Sequence, residues 1–258
     1  MPTFHMSIDI LAILFAGGLL AGFVDSIAGG GGLISLPVLL SVGLPPPLAL
    51  GTNKLQGSFG TLAASYNYIR RGKANLNESF LGIIFTLAGA SLGAWLIQRL
   101  DPGFIKHIIP VLLMIVFIYT LLSKNLGFES RAAVMPRQGF FVLFGLMLGF
   151  YDGFFGPGTG SFWTAALLAV MGFDMTRAAG TTRIMNFTSN FVALCVFMAG
   201  RNVLYPAGLC MAAGQVVGAR IGSGLAIKNG AKFIRPLFLT VVFLTIARLG
   251  YVYYFKPA

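Results

Sequence analysis

GFVDSIAGGGG at Gly22 to Gly32 and GFYDGFFGPGTG at Gly149 to Gly160 are the two stretches whose reading decides the fold. Each carries an apolar run into an aspartate, Asp25 or Asp152, and then into a turn crowded with glycine or proline. In a helix interior Gly is disfavoured by about 1 kcal/mol and Pro by about 3 kcal/mol, so a continuous helix cannot pass through either turn. A further apolar run follows each turn. The same device, a helix that breaks and resumes, is used twice.

The likeness extends outward from the turns. Gly51-Thr52-Asn53-Lys54-Leu55 is matched by Gly180-Thr181-Thr182-Arg183-Ile184, and Gly72-Lys73-Ala74-Asn75 by Gly200-Arg201-Asn202-Val203. Ala88-Gly89 with Gly93-Ala94 corresponds to Ala213-Gly214 with Gly218-Ala219, and Pro110 to Pro236. The offset stays between 125 and 129 residues from one pair to the next. One unit of about 110 residues has been duplicated, with small changes in its loops.

Of the 258 residues 57% are hydrophobic and 10% charged, whereas soluble domains carry about 25% charged residues. A helix needs roughly 20 apolar residues to cross the ~30 Å hydrocarbon core, and such stretches recur along the chain. The expected segments are Ser7 to Ile27, Leu33 to Leu50, Asn53 to Ile69, Phe80 to Ile97 and Phe104 to Leu122. In the second half they are Gln138 to Phe155, Phe162 to Gly172, Ala178 to Ala199, Val203 to Ile227 and Phe233 to Tyr254. The first segment has neither a basic region before it nor a small-residue cleavage site after it, so it is expected to stay in the mature fold.

The chain is thus expected to be an all-α polytopic membrane protein with two repeats, residues 1–123 and 138–258, joined by a linker over residues 124–137. Five segments per repeat is an odd number, which inverts the second repeat in the membrane. Parity is unchanged if the first two segments are re-entrant half-helices meeting at the Gly-rich turn. Cytoplasmic loops favour Lys and Arg. With the N-terminus outside, inner loops hold Arg70, Arg71, Lys73, Lys124, Arg131, Arg137, Arg177, Lys228, Lys232 and Arg235, against Arg99, Lys106, Arg201 and Lys256 outside. That bias places both termini on the outer side.

Inverted repeats hold substrate near the midplane, where broken helices expose their ends. The expected substrate-binding groups are the backbone of Gly29, Gly30, Gly31 and Gly32 and of Gly156, Gly158, Thr159 and Gly160. Beside them are Thr52, Asn53, Lys54, Thr181, Thr182, Arg183 and Asn186. Helix N-termini with their free N–H groups suit an anion, and Lys54 and Arg183 add charge-assisted hydrogen bonds. The competing readings are close helix packing for the glycines and snorkelling to the interface for the two cations. Gly89, Gly93, Gly214 and Gly218 read as packing positions.

Asp25 and Asp152 lie within apolar stretches, where a lone carboxylate is expensive. Two readings stand: each carries a proton that couples transport to a gradient, or each caps the broken helix and holds a basic partner. Arg220 and Arg248, which have no basic counterpart in the first half, read as structural or lipid-facing, and Glu78 as a helix start. His5 and His107 sit near segment ends, so no metal or cofactor is expected. Cys195 and Cys210 read as small packing residues rather than a disulfide. The net charge of +11 fits loop bias, anionic lipid or an anionic substrate, and without interleaved basic and aromatic stripes nucleic acid is not a partner.

These motifs resemble the TauE/SafE family of sulfite-exporter-like bacterial membrane transporters, in particular its YfcA-like members. The resemblance rests on GFVDSIAGGGGLISLP from Gly22, GTNKLQ from Gly51, GFYDGFFGPGTGSF from Gly149 and GQVVGARIGSGL from Gly214. It implies a two-repeat helical transporter of the bacterial inner membrane whose substrates are small sulfur-containing or organic anions such as sulfite, thiosulfate or sulfonates. The expected function is secondary anion transport with alternating access, with proton coupling through the aspartates. An anion channel would use the same donors without a gate. No nucleotide-binding G-x-x-x-x-G-K-[ST] loop is present. An intramembrane enzyme would need a nucleophile beside a base, or metal ligands, and a receptor subunit would show no flux.

Overall fold

The computed structural model describes residues 6–101 and 132–229. The expected segments Phe104 to Leu122 and Phe233 to Tyr254, the linker up to residue 131, and with them Pro110, Pro236, Arg248, His5 and His107, lie outside the described residues. Among the described residues all regular structure is helical. The first half forms α1 (Ile8–Ala28), α2 (Gly32–Ser41), α3 (Pro46–Arg70) and α4 (Leu76–Ile97). The second forms α5 (Arg137–Phe154), α6 (Thr159–Ala169), α7 (Met175–Ala199) and α8 (Tyr205–Asn229).

The breaks fall where the glycines are. Ser7 caps α1 by accepting from the Ile10 N–H, and α1 stops at Gly29, whose φ of 84° is left-handed. Gly156 and Gly158, with φ of 100° and 85°, make the corresponding break before α6. These conformations are open to glycine at little cost and to other residues only with strain. The helices after the breaks, α2 and α6, have 10 and 11 residues. At ~1.5 Å per residue each is about 15 Å long, half the thickness of the hydrocarbon core.

One boundary differs from the sequence expectation. The apolar run Leu33 to Leu50 reads as a single segment, yet α2 ends at Ser41 and Pro46 to Leu50 belong to α3. Gly43 is left-handed, with φ of 90°, and Pro45, Pro46 and Pro47 follow it. Proline lacks an N–H and restrains the residue before it, so no helix continues through such a run, but it serves well in the first turn of a new one. Hydropathy alone is blind to this. Lys54 therefore sits two turns inside a 25-residue helix instead of near its start.

α1, α4 and α8 are long and apolar enough to cross a membrane. They show large apolar side chains at the surface, such as Leu20, Leu87, Leu92, Leu209 and Ile221. The two central helices are the reverse. α3 buries Thr52, Asn53, Lys54, Gln56, Ser58 and Thr61, and α7 buries Thr181, Thr182, Arg183, Asn186 and Ser189. A membrane protein turns apolar surface outward and gathers its polar groups inside, which is the arrangement seen.

Packing exchanges partners between the halves. α1 lies along α8, with Gly214, Gly218 and Gly222 against the backbone of Phe15, Leu19 and Phe23. In the same way α4 lies along α5, with Gly89 and Gly93 against Leu146 and Phe150. Each first helix thus packs along the fourth helix of the other half, in parallel. α3 and α7 pass each other in opposite directions: Gly51 faces Phe197 and Asn202, Gly57 faces the Asn190 carboxamide, and Gly180 faces Lys73 and Tyr68.

The packing role of these glycines has a measurable consequence. A Cβ at Gly218 would meet the Leu19 carbonyl oxygen, whereas Gly224 on the same helix faces open space. Gly218→Ala is expected to destabilise the detergent-purified protein by about 1–3 kcal/mol through overpacking. Gly224→Ala should stabilise it by about 0.5–1 kcal/mol through helix propensity. Thermal unfolding midpoints that shift the same way in both variants would overturn this assignment.

Candidate functional site

The two Gly-rich turns meet backbone to backbone. A Cβ on Gly160 would lie 2.6 Å from the Gly29 Cα, and one on Gly32 would lie 2.9 Å from the Pro157 Cα. No residue larger than glycine fits at Gly29 and Gly160 without moving one turn off the other. Around this crossing the ends of α1 and α5 stop in the protein interior, where local caps satisfy part of them. The Gly29 N–H donates to the Asp25 carbonyl at 3.0 Å, and the Phe155 and Gly156 N–H groups donate to that of Tyr151 at 2.8 and 3.2 Å. The remaining capacity of the end carbonyls is left to other groups.

Both ends also receive a cation from the opposite half. Lys54, on α3, donates to the Asp152 backbone carbonyl at 2.5 Å and to its carboxylate Oδ1 at 2.7 Å. Arg183, on α7, donates through one terminal nitrogen to the Asp25 backbone carbonyl, and that nitrogen lies 3.4 Å from the Asp25 carboxylate Oδ2. The two arrangements are the same device at equivalent positions of the two halves. A cation near the last turn of a helix is also favoured by the helix dipole. Lys54 is 1% exposed and Arg183 0%, which rules out snorkelling for both.

Each carboxylate has further partners. The Gly31 N–H donates to Asp25 Oδ1 at 3.2 Å, and the Ser189 hydroxyl donates to Asp152 Oδ2. Asp25 thereby bridges the break in its own half, and Ser189 fixes Asp152 from α7. The aspartates hold basic partners and stabilise broken ends at once.

A small cavity, about 30 Å³, opens between the pairs. Of the residues expected from the sequence, Asp25, Gly29, Gly32, Asn53, Lys54, Asp152, Gly156, Gly158, Gly160 and Asn186 line it. Gly30, Gly31, Thr52, Thr159, Thr181, Thr182 and Arg183 do not. Thr52 instead accepts from the Leu204 N–H at 2.9 Å, Thr182 bonds Thr164 at 3.1 Å, and Thr159 donates to the Gly156 carbonyl. Arg183 is turned into the protein toward Asp25 and also donates to the Ala179 carbonyl at 3.3 Å.

The sequence reading missed a set of carboxamides. Gln56, Asn190 and Gln215 line the cavity with Asn53 and Asn186. Asn53 Oδ1 accepts from Ser35 at 2.5 Å and from Gln56 Nε2 at 2.7 Å. Gln56 Oε1, Asn186 Oδ1 and Gln215 Oε1 are buried with no partner. Unpaired amide groups in a polar cavity are sites for water or ligand. Gln215 could have been found as a carboxamide within a stretch apolar and long enough to span a membrane, where polar groups are rare unless they do something. Among the described residues no cluster of His, Cys, Asp or Glu could hold a metal.

Over residues 14–249 the chain matches the model of the family described as Sulfite exporter TauE/SafE. It is 41% identical over 246 residues to a "Probable membrane transporter protein" of Haemophilus influenzae, covering 95% of this chain and 96% of that one. To the "Probable membrane transporter protein YfcA" of Escherichia coli K12 it is 40% identical, over 96% of this chain and 92% of that one. To the "Probable membrane transporter protein ORF9" of a Sinorhizobium species it is 42% identical, over 92% and 90%. No solved structure matches the chain significantly.

The crossed ion pairs can be tested by a double-mutant cycle. Lys54→Met leaves the Asp152 carboxylate buried without its cation, and Asp152→Asn does the reverse, so each is expected to lower stability by about 3–5 kcal/mol. The double variant removes both charges and should lose markedly less than the two single losses together. Additive losses in unfolding measurements on detergent-purified protein would mean that the two residues do not act as a pair.

Proposed function

The chain belongs to the sulfite exporter TauE/SafE family, and on that premise we propose that it is a secondary transporter of small anions, working by alternating access around the cavity between the two Gly-rich turns. The substrates are of the sulfite, thiosulfate or sulfonate type. Support for this class comes from the family's description and from the relatives, which are named as membrane transporters.

The observation that carries the mechanism is charge balance. Two cations, Lys54 and Arg183, face two carboxylates, Asp152 and Asp25, with all four side chains buried. An anion arriving alone would leave net negative charge in a medium where unpaired charge is very costly. If it arrives with a proton that neutralises Asp152, Lys54 is released from its partner and becomes free to hold the anion, and balance is kept. Neutral carboxamides around the cavity then supply hydrogen bonds without adding charge. The two aspartates set the capacity: one proton for each negative charge carried, up to two.

The membrane arrangement follows the same reading. Residues 1–123 and 138–258 form inverted repeats, with residues 124–137 between them, and α2 and α6 are re-entrant. The opposite directions of α3 and α7 and the exchange of packing partners support this. Arg137 and Arg177 both pair with Glu78, at 3.1 and 2.7 Å, and Lys73 lies beside them. Gln98 and Asn202, next to Arg99 and Arg201, meet at the opposite end. The Arg-rich end is the cytoplasmic one, which puts both termini outside in a bacterial inner membrane. A cavity about the size of one or two waters favours a gated transporter over an open anion channel, because the substrate cannot pass without rearrangement.

The test is flux into proteoliposomes, assayed with sulfite, thiosulfate, taurine and sulfoacetate under imposed proton gradients. Uptake of at least one of these should saturate, follow the proton gradient, and be unaffected by clamping the membrane potential, because each negative charge travels with a proton. In Asp152→Asn the drive exerted by the proton gradient should fall by one proton for each anion carried. Flux that ignores the gradient but follows the potential would overturn proton-coupled transport in favour of a channel.

A further inference from the structure

On the flank of α3 and α8, away from the cavity between the turns, three guanidinium groups converge on one opening. Arg70 and Arg71 come from the end of α3 and Arg220 from α8, and with Asn67 they line a pocket of about 410 Å³. The Asn67 carboxamide donates to the Ser223 hydroxyl at 2.7 Å and ties the two helices together at its base. All three arginines are exposed. None has a carboxylate partner among the described residues, whereas Arg137 and Arg177 at the same end of the bundle share Glu78. Like charges brought together without a counter-charge repel, so an anion placed among them is favoured.

What lies beside the arginines indicates the kind of anion. Leu62 and Tyr66 precede Arg70 by two turns and one turn along α3, and Val217 and Ile221 flank Arg220 on α8. All four are exposed. The pocket is therefore a charged head at the end of an exposed apolar strip on two membrane helices. We propose that it binds the phosphate of an anionic phospholipid, with the guanidinium groups around the headgroup and the acyl chains along Leu62, Tyr66, Val217 and Ile221. Basic pockets between transmembrane helices suit such headgroups, and the planar, multi-donor guanidinium group suits phosphate. A small soluble anion would use the arginines but not the apolar strip.

Native mass spectrometry of the full chain in neutral detergent separates these cases. Dioleoylphosphatidylglycerol, dioleoylphosphatidylethanolamine and inorganic phosphate are added in turn to the parent protein. They are also added to the triple variant Arg70→Gln, Arg71→Gln, Arg220→Gln, and to a charge-matched control, Lys73→Gln, Arg99→Gln, Arg201→Gln. The parent and the control are expected to retain phosphatidylglycerol, and the pocket variant to bind it roughly 100-fold more weakly, at about one order of magnitude lost for every one to two arginines. Equal retention of the two lipids by the parent would overturn the proposal whatever the variants do. So would undiminished binding in a folded pocket variant, an equal loss in the control, or displacement of the lipid by an equal concentration of phosphate.

Discussion

A helix that stops inside a membrane protein leaves end carbonyl groups that its own backbone satisfies only in part, and the rest of this structure is arranged around that requirement. α1 and α5 both stop there. The groups that complete them, Arg183 and Lys54, come in each case from the central helix of the other half. Because those cations are buried, each needs a carboxylate. Because the carboxylates are buried as well, each stands within the last turn of the helix being completed. Polar backbone, cation and acid thus form one connected unit, built twice, and the polar character of α3 and α7 follows from having to carry it.

Much of this architecture could be read in the sequence, for identifiable reasons. Breaks at Gly29 and at Gly156 to Gly158 follow from local backbone preference, and the helical runs follow from hydropathy. The end of α2 did not, since Leu33 to Leu50 is apolar throughout and only the Gly43 conformation and the three prolines divide it. The repeat offset identified Asp25 with Asp152 and Lys54 with Arg183 as equivalent residues. Equivalence does not say which residues touch. The pairs that form join positions 98 and 158 residues apart, each across the halves, and nothing local in the chain marks that choice. Threonines beside the cations read as ligands by proximity in sequence. On a helix, however, residues one or two apart point in different directions, and Thr52 and Thr182 turn to Leu204 and Thr164 instead.

The glycines of the turns hold two roles that sequence reasoning had set against each other. Gly29, Gly32 and Gly160 bring the turns into contact and also form part of the cavity wall. Close packing is what lets bare backbone face the polar space, since any side chain at these positions would fill it or push the turns apart.

The exchange of partners between halves also bears on how the protein is made. Chains enter the membrane from the N-terminus onward, so residues through α4 are in place while α5 to α8 are still being synthesised. During that interval the first half carries Asp25 and Lys54, whose partners Arg183 and Asp152 do not yet exist. Neither half completes its own interior, so the first must wait, shielded or incompletely folded, for the second. The nascent chain thus has its vulnerable period before α7 is inserted, and quality control that acts on unpaired charge within the bilayer would distinguish a truncated product from a finished one at that step.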